Sequence, residues 1–464
     1  MLHPRRHPFC RSFVLSSLHR EAGADVTDVR YIAYETLLLV TDGEYTGEPV
    51  KDVLNKYSYL NSLDRSFLKR LIEGTIERMI TVDHVIGQFS KVPVKKMKKQ
   101  VRCLLRMGTY QLLFMDSVSD YAAVDETVKL IRKTHLYKLS GFVNAVLRNI
   151  SRNKDNIRWP DKDSDIVKYM SVTYSCPEWI ASMLISERGI KEAEVLLGLS
   201  VSVRPITARV NTSRVSVEEA LSQCVGERSD VYENAIVLSE HDDISQIPAF
   251  LNGNICIQDI SSMLVCAVAG IKKCDTVLDL CAAPGGKSMH AADIATDGRV
   301  VSCDVSERKT ALIDENIQRC GFTNVTTRIN DASVYNEDLD QAFDVVLADV
   351  PCSGLGVMGR KNDIKYNITP EAIADLSALQ KKILKNAALY VKPGGTLMFS
   401  TCTCTHAENE DNVRFLTEEC KLTPADFYEE LPAALRKESA KSGYLQLIGE
   451  DALTDGFFIG KFRK

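Results

Sequence analysis

"LDLCAAPGGKS" (278–288) passes from an apolar run into a turn containing Pro and Gly, then into a helix-like stretch. Gly285 and Gly286 carry no Cβ, so the backbone there can approach a ligand closely. The stretch is neither the G-x-x-x-x-G-K-[ST] phosphate loop nor a clean G-x-G-x-x-G. Its meaning comes from its surroundings. Short apolar runs recur at "TVLDL" (276–280), "RVVSCD" (299–304), "NVTTRIND" (324–331), "FDVVLAD" (343–349) and "GTLMFST" (395–401). Amphipathic helical segments separate several of them. From about residue 259 to 464 that alternation predicts an α/β fold with a mainly parallel, doubly wound, Rossmann-like sheet. Ligands in such sheets bind at the carboxyl ends of the strands.

Polar and thiol side chains gather at those ends. Asp304 closes the second run, where a carboxylate can hold a ribose's hydroxyl pair. Asp331 follows the third, toward the adenine end of a nucleotide-like ligand. Each also fits a helix-cap or turn role. "ADVPCSGLG" (348–356) follows the fourth run; Pro351 stiffens the turn that presents Asp349 and Cys352. "STCTCTHAENE" (400–410) follows the fifth. Thr405 and Glu408 have the spacing of a capping box, which predicts a helix from Thr405 with Glu408, Glu410 and Asp411 at its positive end. Cys402 would then lie between a strand end and a helix N-terminus, a position that favours thiolate. Cys404 reads as a small packed residue.

The amino-terminal text is of another kind. Over 27–155, "VRYIAYETLLLV", "DRSFLKRLIEGTIERMITVDHVIGQF", "KKMKKQVRCLLRMGTYQLLFM" and "SGFVNAVLRNI" carry apolar residues at helical spacing, predicting an all-α domain. In the third, Met97, Val101, Leu104 and Leu105 form a stripe, with Lys95, Lys96, Lys98, Lys99, Arg102 and Arg106 mostly off it. The field is one-signed: no acidic residue occurs between Lys91 and Asp116. Such a face is either a solvated surface or a nucleic-acid contact. Residues 156–258 mix one long helical segment with short strands and read as a small α+β module. Residues 1–26 are basic and irregular and read as a disordered extension.

The totals narrow the class. Fourteen cysteines are scattered with no C-x-x-C. Reduced thiols in a cytoplasmic protein are expected, with neither a disulfide framework nor a structural metal. The longest apolar run, around "MLVCAVAGI" (263–271), is too short to span a bilayer. The net charge of -5 conceals an asymmetry: residues 1–165 carry about +7 and the remainder about -12. An RNA partner is therefore compatible with a mildly acidic total.

These motifs resemble a known family. "LDLCAAPGGK", "DVPCSG", "STC" and "AENE" are similar to those of RNA cytosine-5 methyltransferases that use S-adenosylmethionine. "LLRMGTYQLLFMDSV", "YAAVDETV" and "GFVNAVLR" are similar to the NusB-like domain fused to one branch, the 16S ribosomal RNA methyltransferase B family. The resemblance spans roughly residues 28–464. It implies S-adenosylmethionine as cofactor and a cytosine of 16S ribosomal RNA as substrate. It implies Cys402 as nucleophile, Cys352 as the thiol that assists adduct release, and Asp349 as the residue positioning the base. It implies cofactor contacts from Cys281, Ala282, Ala283, Pro284, Gly285, Gly286, Lys287, Asp304, Asp331 and Asp349, with no metal, no membrane and a monomer. His406 and Ala407 stand where a Pro-Glu pair is common. The same chemistry on transfer RNA or another RNA stays open, as does a non-catalytic NusB-like RNA-binding or antitermination factor.

Overall fold

The computed structural model describes residues 28–40, 47–57, 59–239, 244–449 and 454–464. The predicted extension at 1–26 lies outside them. Backbone contacts divide the chain into two units between Ser175 and Cys176.

The first unit is helical. Helices Val29–Val40, Ser62–Glu77, Met79–Phe89, Lys99–Phe114, Asp120–Arg132 and Ser140–Arg152 pack around Leu71, Ile72, Val85, Leu104, Leu105, Ile131 and Leu147, all fully buried. The predicted stripe holds: Met97, Val101, Leu104 and Leu105 are buried. Two expected helices are shorter than their periodicity suggests. The segment 64–89 breaks at Arg78 into two helices. The segment 95–115 starts its α-helix at Lys99, after a separate short turn at Val94–Lys96. The basic face is also smaller than the count of cations implies. Arg106 turns inward to a bidentate pair with Asp83, at 2.7 and 2.6 Å. Lys95, Lys96 and Lys98 stay exposed.

The second unit holds two sheets. A small antiparallel one has the order β2-β3-β1-β4, built from β1 (Ile206–Val210), β2 (Gly226–Arg228), β3 (Ala235–Leu238) and β4 (Ile255–Ile257). The large sheet contains β5 (Thr276–Asp279), β6 (Arg299–Asp304), β7 (Val325–Ile329), β8 (Phe343–Asp349) and β9 (Val391–Thr401), all parallel. β10 (Thr423–Pro424), β11 (Tyr444–Ile448) and β12 (Gly456–Arg463) extend it antiparallel beyond β9. This edge is missing from the strand runs read in the sequence. The order is β10-β12-β9-β8-β5-β6-β7, with β11 also on β12.

Side chains of the parallel strands alternate between two cores, as the pleat requires. Val277, Val345, Leu347 and Met398 join one, with Met289, Ala291 and Ala292 of the helix Gly286–Ile294. Leu278, Val346, Leu397 and Phe399 join the other, with Ile383 and Leu384 of the helix Pro370–Tyr390. Both faces are covered, which is why these strands read as continuous apolar runs. Strand order reverses between β5 and β8, so a crevice opens beyond their carboxyl ends.

Candidate active site

The turn after β5 is built to hold its shape. Gly285 has φ 105°, a left-handed conformation that side-chain-bearing residues rarely adopt. Its N–H donates to the Ala282 carbonyl at 2.6 Å, and the Ala282 N–H donates to the Cys303 carbonyl of β6 at 2.9 Å. Asp304 braces the same turn: its carboxylate accepts from the Ala283 N–H at 3.0 Å and the Val305 N–H at 2.7 Å. Lys309 pairs with it at 3.0 Å. Cys281 is half-buried, and burial pushes its thiol pKa up. Asp331 follows β7. It is exposed and accepts from the Ser333 N–H and hydroxyl at 2.9 and 2.7 Å, a turn arrangement.

Two carboxylates of differing exposure flank the first turn of the helix Gly286–Ile294. Lys287 reaches across from it to Asp349 at the end of β8, Nζ to Oδ2, 2.6 Å. Asp349 Oδ1 accepts from the hydroxyl of Ser400, its register partner on β9, at 2.7 Å. Burial works against the Lys287 charge, but the charge and hydrogen bond of Asp349 override it and raise its pKa. Asp279, fully buried at the end of β5, accepts from Ser288 Oγ at 2.7 Å. Desolvation pushes its carboxyl up to about 7.

The two cysteines meet. Cys352, in the loop after β8, and Cys402, directly after β9, have their sulfurs 3.2 Å apart. Their hydrogen bond lowers the Cys402 pKa against the opposing effect of burial, and raises that of Cys352. The cause differs from the helix end expected in the sequence. No helix starts at Thr405: residues 406–409 form turns, and the helix runs Glu410–Glu418. The Thr405 hydroxyl bonds the Glu408 side chain at 2.8 Å. Glu410 and Asp411 do occupy a helical first turn. Cys404 is fully buried, and desolvation pushes its thiol up to about 12.

The sequence reading gave Glu408 a helix-capping role and missed the network that shapes these loops. Glu408 is fully buried and accepts from the Ser353 N–H (2.8 Å) and hydroxyl (2.6 Å), joining the Cys352 loop to the Cys402 loop. Gln380 donates to Glu408 at 3.1 Å and to the Pro351 carbonyl at 2.8 Å. The Gly356 N–H donates to the Cys402 carbonyl at 3.0 Å. Arg188 donates to the Cys404 carbonyl at 2.7 Å and grips Glu410 at 2.5 and 2.9 Å. "AENE" marks Glu408 and Asn409 locally. Ser353 sits inside "DVPCSG" with no role read for it, and Gln380 and Arg188 come from distant segments with no local signature.

A crevice with one thiol of lowered pKa, a second thiol beside it and a buried lysine paired to a half-buried carboxylate suits covalent chemistry on an electrophilic ring. Known proteins share this chain's features. The family described as 16S rRNA methyltransferase RsmB/F matches residues 268–463, and the NusB family matches 27–152. The probable ribosomal RNA small subunit methyltransferase B of Bacillus subtilis (strain 168) is 35% identical over 448 residues, 94% of this chain and 99% of that one. The probable ribosomal RNA small subunit methyltransferase B of Synechocystis sp. is 31% identical over 438 residues, 90% of this chain and 95% of that one. A methyltransferase homolog protein from Pyrococcus horikoshii matches in structure with a TM-score of 0.53 at 27% identity, over 64% of this chain and 97% of its own. NSun6 from the same organism shares the fold, with a TM-score of 0.55 at 21% identity, over 62% of this chain and 98% of its own.

Proposed function

The chain belongs to the 16S rRNA methyltransferase RsmB/F family, and from that premise we propose that it methylates carbon-5 of a cytosine in 16S ribosomal RNA, in the cytoplasm, with S-adenosylmethionine as donor. The observation that carries this reading is the 3.2 Å approach of Cys352 and Cys402 beside the Lys287–Asp349 pair.

The residues around the β5 turn fit that donor. The turn exposes backbone at Gly286, where an added Cβ would meet nothing nearer than Gln258 Cδ at 3.9 Å. At the ends of β6 and β7, Val305 and Ile329 are 55% and 57% exposed, apolar surface of the kind an adenine ring covers. Asn330 Nδ2 is buried there without a hydrogen-bond partner. Residues 281–287, Asp304, Asp331 and Asp349 would hold the cofactor, which supplies an electrophilic methyl on a sulfonium.

Cytosine C5 is a weak nucleophile. Attack of the Cys402 thiolate on C6 places a covalent bond there and moves the ring's electrons to C5, which then takes the methyl group. Loss of the C5 proton to solvent and departure of the sulfur from C6 restore the aromatic ring. Cys352, still protonated and 3.2 Å away, can return a proton to the departing thiolate. Asp349 would position the base. Lys287 and Ser400 occupy one site on each of its oxygens, and a carboxylate has about four acceptor sites in all. The target must leave its stack to reach this crevice. Exposed Lys95, Lys96 and Lys98 of the helical unit offer phosphate contacts.

Unmodified 16S rRNA and labelled donor test the reading. Label on 16S rRNA, recovered as 5-methylcytosine, is the expected result. Label on transfer RNA alone would move the substrate. Binding of RNA without transfer to any RNA would overturn the enzymatic assignment.

A further inference from the structure

Glu408 lies between the two thiol-bearing loops, in a turn segment rather than a helix or strand, with no exposed surface. Four neutral donors converge on its carboxylate: the Ser353 N–H and hydroxyl, the Thr405 hydroxyl and the Gln380 amide. The Thr403 hydroxyl lies 3.4 Å away and joins them through Ser353 Oγ. Ser353 directly follows Cys352, and Thr403 directly follows Cys402. Their hydroxyls also meet each other at 2.7 Å. Each cysteine is therefore one residue from a hydroxyl tied to Glu408, directly at Ser353 and through Ser353 Oγ at Thr403.

Only an acceptor suits this position. A carboxylate accepts at both oxygens and donates at neither; a carboxamide presents an N–H₂ on one side. The Ser353 N–H cannot rotate away from such a group. The charge also has an address. The titratable and charged groups acting on the thiol pair are Glu408, Asp349, Lys287 and Lys361. Asp349 disfavours ionisation of both thiols, whereas Lys361 and Lys287 favour it at Cys402. Glu408 opposes ionisation at Cys352.

We propose that Glu408 is a positioning residue: it holds the two cysteine loops as one unit and keeps the shared proton on Cys352, leaving Cys402 as the thiolate. One proton of the pair leaves for solvent; the other stays on Cys352 Sγ and is donated to Cys402 Sγ. The proposal rests on the methyl-transfer reading for its purpose, but not for its test.

Iodoacetamide labelling of the full chain, without RNA or cofactor, reads the thiolate directly, since each thiolate displaces iodide. Peptide mass spectrometry then gives the Cys402:Cys352 labelling ratio against pH. Wild type is expected to label Cys402 first. Glu408→Gln should lower the ratio at least tenfold and shift the Cys402 pH profile. Glu408→Asp, which keeps the charge, should restore much of both. A wild-type ratio and pH profile in a folded Glu408→Gln protein would overturn the proposal. Where that variant does not fold, Ser353→Ala and Thr403→Val take its place, each cutting one tie to Glu408. A ratio moved at least threefold in either supports the proposal; a wild-type ratio in both overturns it. Failure here leaves the methyl-transfer reading standing, and failure of methyl transfer leaves the labelling ratio intact.

Discussion

Gly356→Ala perturbs the distance between the thiols without touching either. Gly356 packs on the start of β12: a Cβ built there would lie 2.6 Å from the Gly456 carbonyl carbon and 2.9 Å from its Cα, with the Gly456 oxygen closer still. Ordinary carbon contacts are about 3.5 Å or longer, so one of the two backbones must retreat by roughly 1 Å. β12 is held along its length by β9 and β11, so the loop is the part that gives. The loop is tied to the Cys402 carbonyl through the Gly356 N–H and carries Cys352 four residues upstream. A displacement of about 1 Å at reacting groups can cost about 100-fold in rate. Overpacking of this kind costs about 1–3 kcal/mol, seen as a melting temperature a few degrees lower. The assay is single-turnover methyl transfer to 16S rRNA, paired with calorimetric titration of S-adenosylmethionine. The expected pattern is a rate near one hundredth of wild type with cofactor affinity little changed, because the β5 turn is on a different loop. A rate within threefold of wild type would refute the claim that this packing sets the thiol geometry.

Three further outcomes follow from the site. Lys287→Met strips Asp349 of its buried cation; loss of one partner of such a pair costs about 3–5 kcal/mol, less here because Asp349 is partly exposed. Thermal unfolding and a fall in kcat check it, and Lys287→Arg should recover part of the stability. Asp279 carries a carboxyl raised from the ordinary 3.8 to about 7. Its protonated form is the one the fold prefers, so the associated stability is present below about pH 4 and lost as pH rises through 7, by up to about 4 kcal/mol. Asp279→Asn should flatten the pH 4–7 dependence of the urea midpoint relative to wild type; parallel curves would contradict it. Arg188→Ala frees the Cys404 carbonyl and Glu410, and hydrogen exchange should rise across residues 403–410 while the β5 turn stays protected.

Much of the architecture was legible because burial on two faces writes itself as apolar runs. β6 and β8 match the runs 299–304 and 343–349 residue for residue. Their terminal carboxylates follow from the same register. The antiparallel edge was not legible: "GFFIGKFR" lies apart from any alternation with helices, although β12 pairs with Thr396–Thr401 of β9. Thr405 and Glu408 show the limit of local spacing. Thr-x-x-Glu looks the same whether the glutamate caps a helix or binds hydroxyls, and here the deciding donors, Ser353 and Gln380, stand 55 and 28 residues away. Pairing of Cys352 with Cys402 was legible from adjacent strand ends. The hydrogen bond that tunes the pair was not, because it depends on how two loops close.

The central claim is that Cys402 attacks the base and Cys352 releases it. The most direct measurement is a denaturing gel of Cys352→Ala, Cys402→Ala and the double variant, each incubated with 16S rRNA and S-adenosylmethionine. The account predicts a protein–RNA adduct that persists only in Cys352→Ala and maps by mass spectrometry to Cys402. An adduct in Cys402→Ala, or none in Cys352→Ala while methyl transfer continues, would contradict it.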